Sequence, residues 1–202
     1  MRSKPWRNRK AAPTAGREPR PGDGSGGPEG RAEALLSRLE AGGPQLLNAA
    51  EELDRHQPSL ERAAALEPIR DRVRALCEGW ADGSAGSDLR GARLEAWLCL
   101  TGAFGLSEFA EACSAVVEDP AAPAAGRCRA CEVLCRLDRA AALRTLERVL
   151  IARSDTRVRE AAAQCLGELG DASVRPSLEA LLEQDLPQSL WVAVDAARLR
   201  LR

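Results

Sequence analysis

Cysteine is the residue type with the most chemistry to offer in this chain. There are seven. Cys128, Cys131 and Cys135 stand at i, i+3 and i+7, which puts three thiols on one side of a helix. Cys99 lies 32 residues before Cys131, on the same outer side of an earlier helix. Four thiols gathered there would suit tetrahedral zinc, because thiolates are soft ligands. Metal knuckles usually set their Cys pairs in turns, however, and helical spacing converges poorly. The favoured reading is therefore packing by small hydrophobes, with no metal and no cofactor. A metal or redox site on Cys99, Cys128, Cys131 and Cys135 is the alternative. Cys165, Cys113 and Cys77 fall on core stripes. An odd number of Cys in a chain of this size does not suggest a disulfide framework, so a reducing compartment is expected, cytoplasm or nucleus.

Catalytic spacings are missing from the sequence. Its single histidine, His56, lies in Asp54-Arg55-His56-Gln57 just before Pro58. The expectation is an ordinary solvated His at a helix C-terminus, where a cation is mildly favoured. No Ser-His-Asp arrangement, His-Glu-x-x-His or phosphate-binding loop is present, so no enzyme is expected. Gly22-Asp23-Gly24-Ser25-Gly26-Gly27 has the look of a phosphate cradle. No strand precedes it and no helix starts directly on it, so it reads as a linker.

The elements that must position these residues are set by composition and period. The chain has 202 residues, 45% apolar and 29% charged, enough for one ordinary domain or two small ones. Residues 1–30 carry a net charge of +4 and residues 31–202 carry −5. The first segment is rich in Gly, Pro and Arg and has Trp6 as its only large apolar group. It is expected to be a disordered basic tail. The longest charge-free run, Ala96–Ser107, is twelve residues, too short to span a bilayer. No apolar stretch comes after the N-terminal basic residues, so no secretory signal is expected.

From Arg31 the apolar period is helical and no strand pattern occurs. Ala34, Leu35 and Leu39 give a first stripe. Pro44 suits the first turn of a helix carrying Leu46, Leu47, Ala50 and Leu53. Pro58 and Pro68 punctuate the next stretch of chain, and Pro68 can open a helix with Ile69, Val73, Leu76, Cys77 and Trp80 on its apolar face. Ala81–Asp88 reads as a loop. It divides an N-terminal helical region, 31–80, from a regular region, 89–202.

That second region repeats every 32 residues. Ala130, Ala162 and Val194 correspond; so do Val133, Cys165 and Ala197, and Leu137, Leu169 and Leu201. In the second helix of each unit Leu146 matches Leu178 and Val149 matches Leu181. An earlier copy places Trp97, Leu100 and Phe104 in its first helix, with Phe109, Cys113, Val116 and Val117 in its second. Neither helix of a unit can bury its face alone, so stacking must do it, which is the logic of an all-α solenoid. Arg198 stands where Leu134 and Leu166 would lead one to expect an apolar residue.

Within this pattern, Asp155 opening a helix, Val158-Arg159, Ala161-Ala162-Ala163 and Leu169-Gly170-Asp171, with Pro176 soon after, resemble a HEAT repeat. They are most similar to the short kind noted in phycobilin lyases. The resemblance is clearest over 155–185. It implies an α-solenoid of HEAT-like hairpins, about four across 89–202, and a habit of binding partners without lyase activity.

Two faces of such a stack are candidates. Opposite the core stripes of the second helices lie Glu111 and Glu118, then Arg144, Glu147 and Arg148, then Glu179 and Glu183. That inner row reads acidic, basic, acidic, which suits a peptide or helix of a protein partner. It is not the continuous basic track with aromatics that nucleic acid needs. On the first helices Leu98, Cys99, Cys131 and Leu199 trace an apolar outer row. Residues 31–80 or another chain would have to cover it. The expected function is a non-catalytic interaction module, a scaffold or adaptor subunit of a larger complex, with no membrane association. The alternative is a nucleic-acid-associated protein that contacts phosphates through its tail, where Lys4 and Arg7-Asn8-Arg9-Lys10 stand.

Overall fold

The computed structural model describes residues 27–43, 45–62, 64–81, 91–152 and 155–201. Among these are ten α-helices, two 3-10 turns and no strand. The helices are α1 (Pro28–Ala41), α2 (Leu46–Arg62), α3 (Leu66–Ala81), α4 (Ala92–Ala103), α5 (Ala110–Glu118), α6 (Ala124–Leu137), α7 (Arg139–Ile151), α8 (Thr156–Leu169), α9 (Arg175–Leu182) and α10 (Gln188–Arg200). No helix among the described residues is long and apolar enough to cross a membrane.

The helices form two rows. α2, α4, α6, α8 and α10 pack side by side in the first, and α5, α7 and α9 run beside one another in the second. Each second-row helix also lies against the first-row helix that comes after it: α5 on α6, α7 on α8, α9 on α10. α3 meets α4, and α1 rests on α2 and α3. One apolar core runs through the whole, from Ala32 to Leu201. The repeat positions supply it. Ala130, Ala162, Val194, Val133, Leu146, Leu178 and Trp97 are all at most 1% exposed.

Turn chemistry repeats with the helices. Asp138 Oδ1 accepts from the Ala140 and Ala141 amides at 2.8 and 3.0 Å and so caps α7. Asp155 caps α8 through Arg157 N at 2.9 Å, and Asp171 accepts from Ser173 N at 3.0 Å. Gly170 ends α8 at φ 67°, a left-handed conformation that favours glycine. Arg127 and Arg159, 32 residues apart, repeat as well. Each turns its Nε–H to a carbonyl in the last turn of the preceding second-row helix, Val117 O and Leu150 O, both at 2.9 Å.

Several expectations need correction. Ala34 is exposed, and α1 instead buries Ala32, Leu35, Leu36 and Leu39. α1 opens at Pro28, so it takes in the last residues expected of the tail. Pro58 does not break the chain: α2 runs through it to Arg62. Leu53 and Leu60, both fully buried, hold the helix on either side of it. α3 starts two residues before Pro68. The phosphate-cradle-like run apart from Gly27, Pro44, and the Ala81–Asp88 loop beyond Ala81 all lie outside the described residues, as does most of the basic tail.

Candidate functional site

The second row is held in register by polar contacts between its helices. Thr145 of α7, 2% exposed, donates through Oγ1 to Ser114 Oγ of α5 at 3.3 Å. Ser177 of α9 donates to Glu147 Oε1 of α7. Arg148 of α7 pairs with Glu118 of α5 at 2.7 Å. Arg175 holds Glu179 on its own helix at 2.9 Å. Exposed pairs of this kind contribute about 0–1 kcal/mol each. Their effect is to fix which way each side chain points.

The seven inner-row candidates therefore divide. Glu118, Glu147, Arg148 and Glu179 already have partners within the chain. Glu111, Arg144 and Glu183 are exposed and make no ion pair among the described residues. They leave one negative, one positive and one negative charge on or at the end of three consecutive second-row helices.

The outer row differs from expectation. Leu98 and Cys131 are fully buried and Cys99 is 6% exposed, and only Leu199, at 40%, meets solvent. First-row helices pack flank to flank, so positions at this angle lie between neighbours in the stack rather than on an outer surface. Gly167 shows how closely the helices meet: a Cβ built on it would sit 2.8 Å from the Ala197 Cα of α10. Gly126 of α6 similarly lies under the Leu94 side chain of α4. Leu199 apart, the row is covered within the chain: α2, from the expected 31–80 region, lies on α4 beside Cys99, and neighbouring first-row helices cover the rest. Trp191, Val192 and Leu199 on α10 and Ile151 at the end of α7 are the large apolar side chains left exposed among the described residues.

The four-thiol site is not assembled. Among the described residues no three His, Cys, Asp or Glu side chains gather to hold a metal ion. The Cys128 thiol donates to Arg157 O at 3.5 Å. Cys135 faces Cys165 across the groove between α6 and α8, which Glu132 and Glu168 also line. Cys99 lines a separate groove with Leu47 and Glu51 of α2. All seven thiols are free. Burial pushes Cys77 and Cys113 up to about 12 and Cys99 up to about 11, and it raises Cys131 too. Thiols held neutral in this way pack as small apolar groups.

His56 is neither at a helix end nor fully solvated. It sits within α2, half-buried, with Nε2 enclosed and no hydrogen-bond partner among the described residues. Its neighbour Gln57 donates to Ala103 O at 2.6 Å and so closes the last turn of α4.

The residue-by-residue reading missed Arg127. It is 5% exposed, and it lines a cavity at the edge where α5 and α7 end. A signal was available, since Arg127 and Arg159 recur at the repeat period.

Among known proteins, the family described as HEAT repeats matches residues 110–197, which run from the start of α5 to near the end of α10. No curated protein and no solved structure gives a significant match.

Proposed function

We propose, from the premise that residues 110–197 are HEAT repeats, that the chain is a binding module serving as a scaffold or adaptor subunit of a larger complex. HEAT repeats generally mediate protein–protein interactions and are typically non-catalytic. The observation that carries this reading is the alternating row Glu111, Arg144, Glu183. These charges make no ion pair among the described residues, and they stand on or at the end of helices whose register is set by Ser114–Thr145 and Ser177–Glu147. A partner helix or peptide with the opposite alternation would meet all three, and charge placed in this way selects partners more than it adds affinity. Seven free thiols suit the reducing cytoplasm or nucleus.

The test is a native pull-down of the full chain, washed at low and high salt with and without nuclease, beside the double variant Arg144→Glu/Glu183→Arg. A protein retained in fixed ratio by the wild-type chain and lost from the variant, with both chains equally helical, supports the reading. Recovery of nucleic acid alone, abolished by deleting residues 1–26, would move the function to the basic segment.

A further inference from the structure

α5 and α7 end on the same edge of the stack, near the starts of α6 and α8. Among these helix ends lies a cavity of about 500 Å³. Pro120, Val149 and Ala152 supply its apolar side. Two arginines and two carboxylates supply its charge: Arg127, Arg148, Glu118 and Asp155.

Three of these four charged groups are already engaged. Arg148 and Glu118 pair at 2.7 Å. Asp155 caps α8 through its bond from Arg157 N. Arg127 is different. It is 5% exposed, and its side chain is a cationic guanidinium. Its Nε–H goes to Val117 O, and it makes no ion pair among the described residues. The carbonyl end of α5 offsets part of its charge. Among the described residues it is not paired with the carboxylate that a buried guanidinium ordinarily takes, two oxygens matched to its planar fork.

We infer that this cavity receives a single carboxylate from a partner polypeptide, an Asp or Glu side chain flanked by an apolar residue. Arg127 binds the carboxylate from the floor, and Arg148 adds a second cation at the lip. The flanking apolar side chain covers Pro120, Val149 and Ala152. Glu118 and Asp155 decide between anions. One carboxylate is tolerated beside them, while a dianionic phosphate is repelled by both. The inference rests on the binding-module reading and gives its partner a chemistry.

The probes are blocked five-residue peptides with one central Glu between leucines, the same peptide with Gln, and inorganic phosphate. Each is titrated into the full chain while the Arg127 Nε–H resonance is followed. The Glu peptide is expected to shift that resonance and to bind at least about tenfold more tightly than the Gln peptide, as a bond to a charged group requires. Phosphate is expected to do neither. Arg127→Ala risks unfolding the α5–α6 turn, so the cavity is blocked instead with Ala152→Glu at an exposed position. That variant should keep its helicity and lose the Glu peptide. Equal binding of the Glu and Gln peptides, undiminished binding to Ala152→Glu, or tighter binding of phosphate would each overturn the inference. A protein partner captured equally by wild type and Ala152→Glu, yet lost from Arg144→Glu/Glu183→Arg, would overturn the cavity alone and leave the binding module standing.

Discussion

Gly167 marks a meeting of two helices at backbone distance. A methyl there would lie 2.8 Å from the Ala197 Cα and 3.1 Å from its Cβ, and backbone cannot step aside as a side chain does. Gly167→Val should therefore push α10 away from α8 and cost about 1–3 kcal/mol, read as a lower urea midpoint. Gly102→Ala is the milder comparison, because the atoms nearest its new methyl are Val133 side-chain carbons, the closest at 3.1 Å. An equal loss in the two variants would mean that backbone approach at Gly167 is not what sets the spacing. At this scale the sequence told which residue types recur but not how near they come. Gly126, Gly167 and the buried Cys131 look ordinary until a neighbouring helix is placed against them. Arg127 is the same case. Its period was readable, while its burial and its bond to Val117 O depend on where α5 ends.

Helices in this chain are set by capping as much as by apolar period. Asp138 both closes one helix and caps the next: its amide bonds to Leu134 O of α6 while its carboxylate receives two amides of α7. Asp138→Ala should cost about 1 kcal/mol, within the roughly 0.5–2 kcal/mol range of such caps, and Asp138→Asn much less. Thermal unfolding of the two variants beside wild type checks the order, and equal losses would show that the cap is not what the α6–α7 corner depends on. The 3.6-residue period identified α3 and α6–α10 because each hides one face against the next. It placed Ala34 wrongly because one apolar residue beside a polar neighbour fits two alternative stripes, and only the packing of α1 on α2 and α3 chooses Ala32 and Leu36 instead. Pro58 misleads for a related reason. A proline removes one helical hydrogen bond, but burial of Leu53 and Leu60 on one face of α2 outweighs that loss.

Taken as a whole, the molecule should respond to alkali through its thiols. It has no Tyr, and its two Lys are both within the first ten residues, so few other groups titrate above neutrality. In the unfolded chain the thiols ionise near their ordinary value of 9.0, whereas in the fold Cys99 holds its proton to about 11 and Cys77 and Cys113 hold theirs to about 12. Their folded values are raised, so the stability they support is intact below about pH 9 and is lost as pH climbs toward 12. Each well-buried thiol contributes a slope of about 1.4 kcal/mol per pH unit in that window. Urea midpoints should thus fall steeply above pH 9, and Cys77→Ala/Cys113→Ala should flatten the fall even though it lowers stability at neutral pH. A wild-type midpoint unchanged up to pH 11 would contradict the burial of these groups.

Helical class and repeat length are legible in the sequence. Apolar residues at helical spacing, repeated every 32 positions, leave stacking as the way to bury them. One cap was legible too, Asp155 at the start of α8, because an Asp there acts on amides two or three residues away. What each face of a helix meets had to wait for the packed molecule. Flank-to-flank packing turned an apolar row with Leu98, Cys99 and Cys131 from an expected surface into core. Lateral contacts paired Arg148 with Glu118 and left Arg144 without an ion pair among the described residues. Of the thiols aligned by the repeat, Cys128 bonds to Arg157 O, Cys135 faces Cys165 and Cys99 lines a groove with α2. The physical reason is one of range. Local propensity and capping act within a turn of the chain, whereas burial, ion pairing and cavity formation depend on residues some thirty positions away, at distances that the repeat suggests and only packing sets.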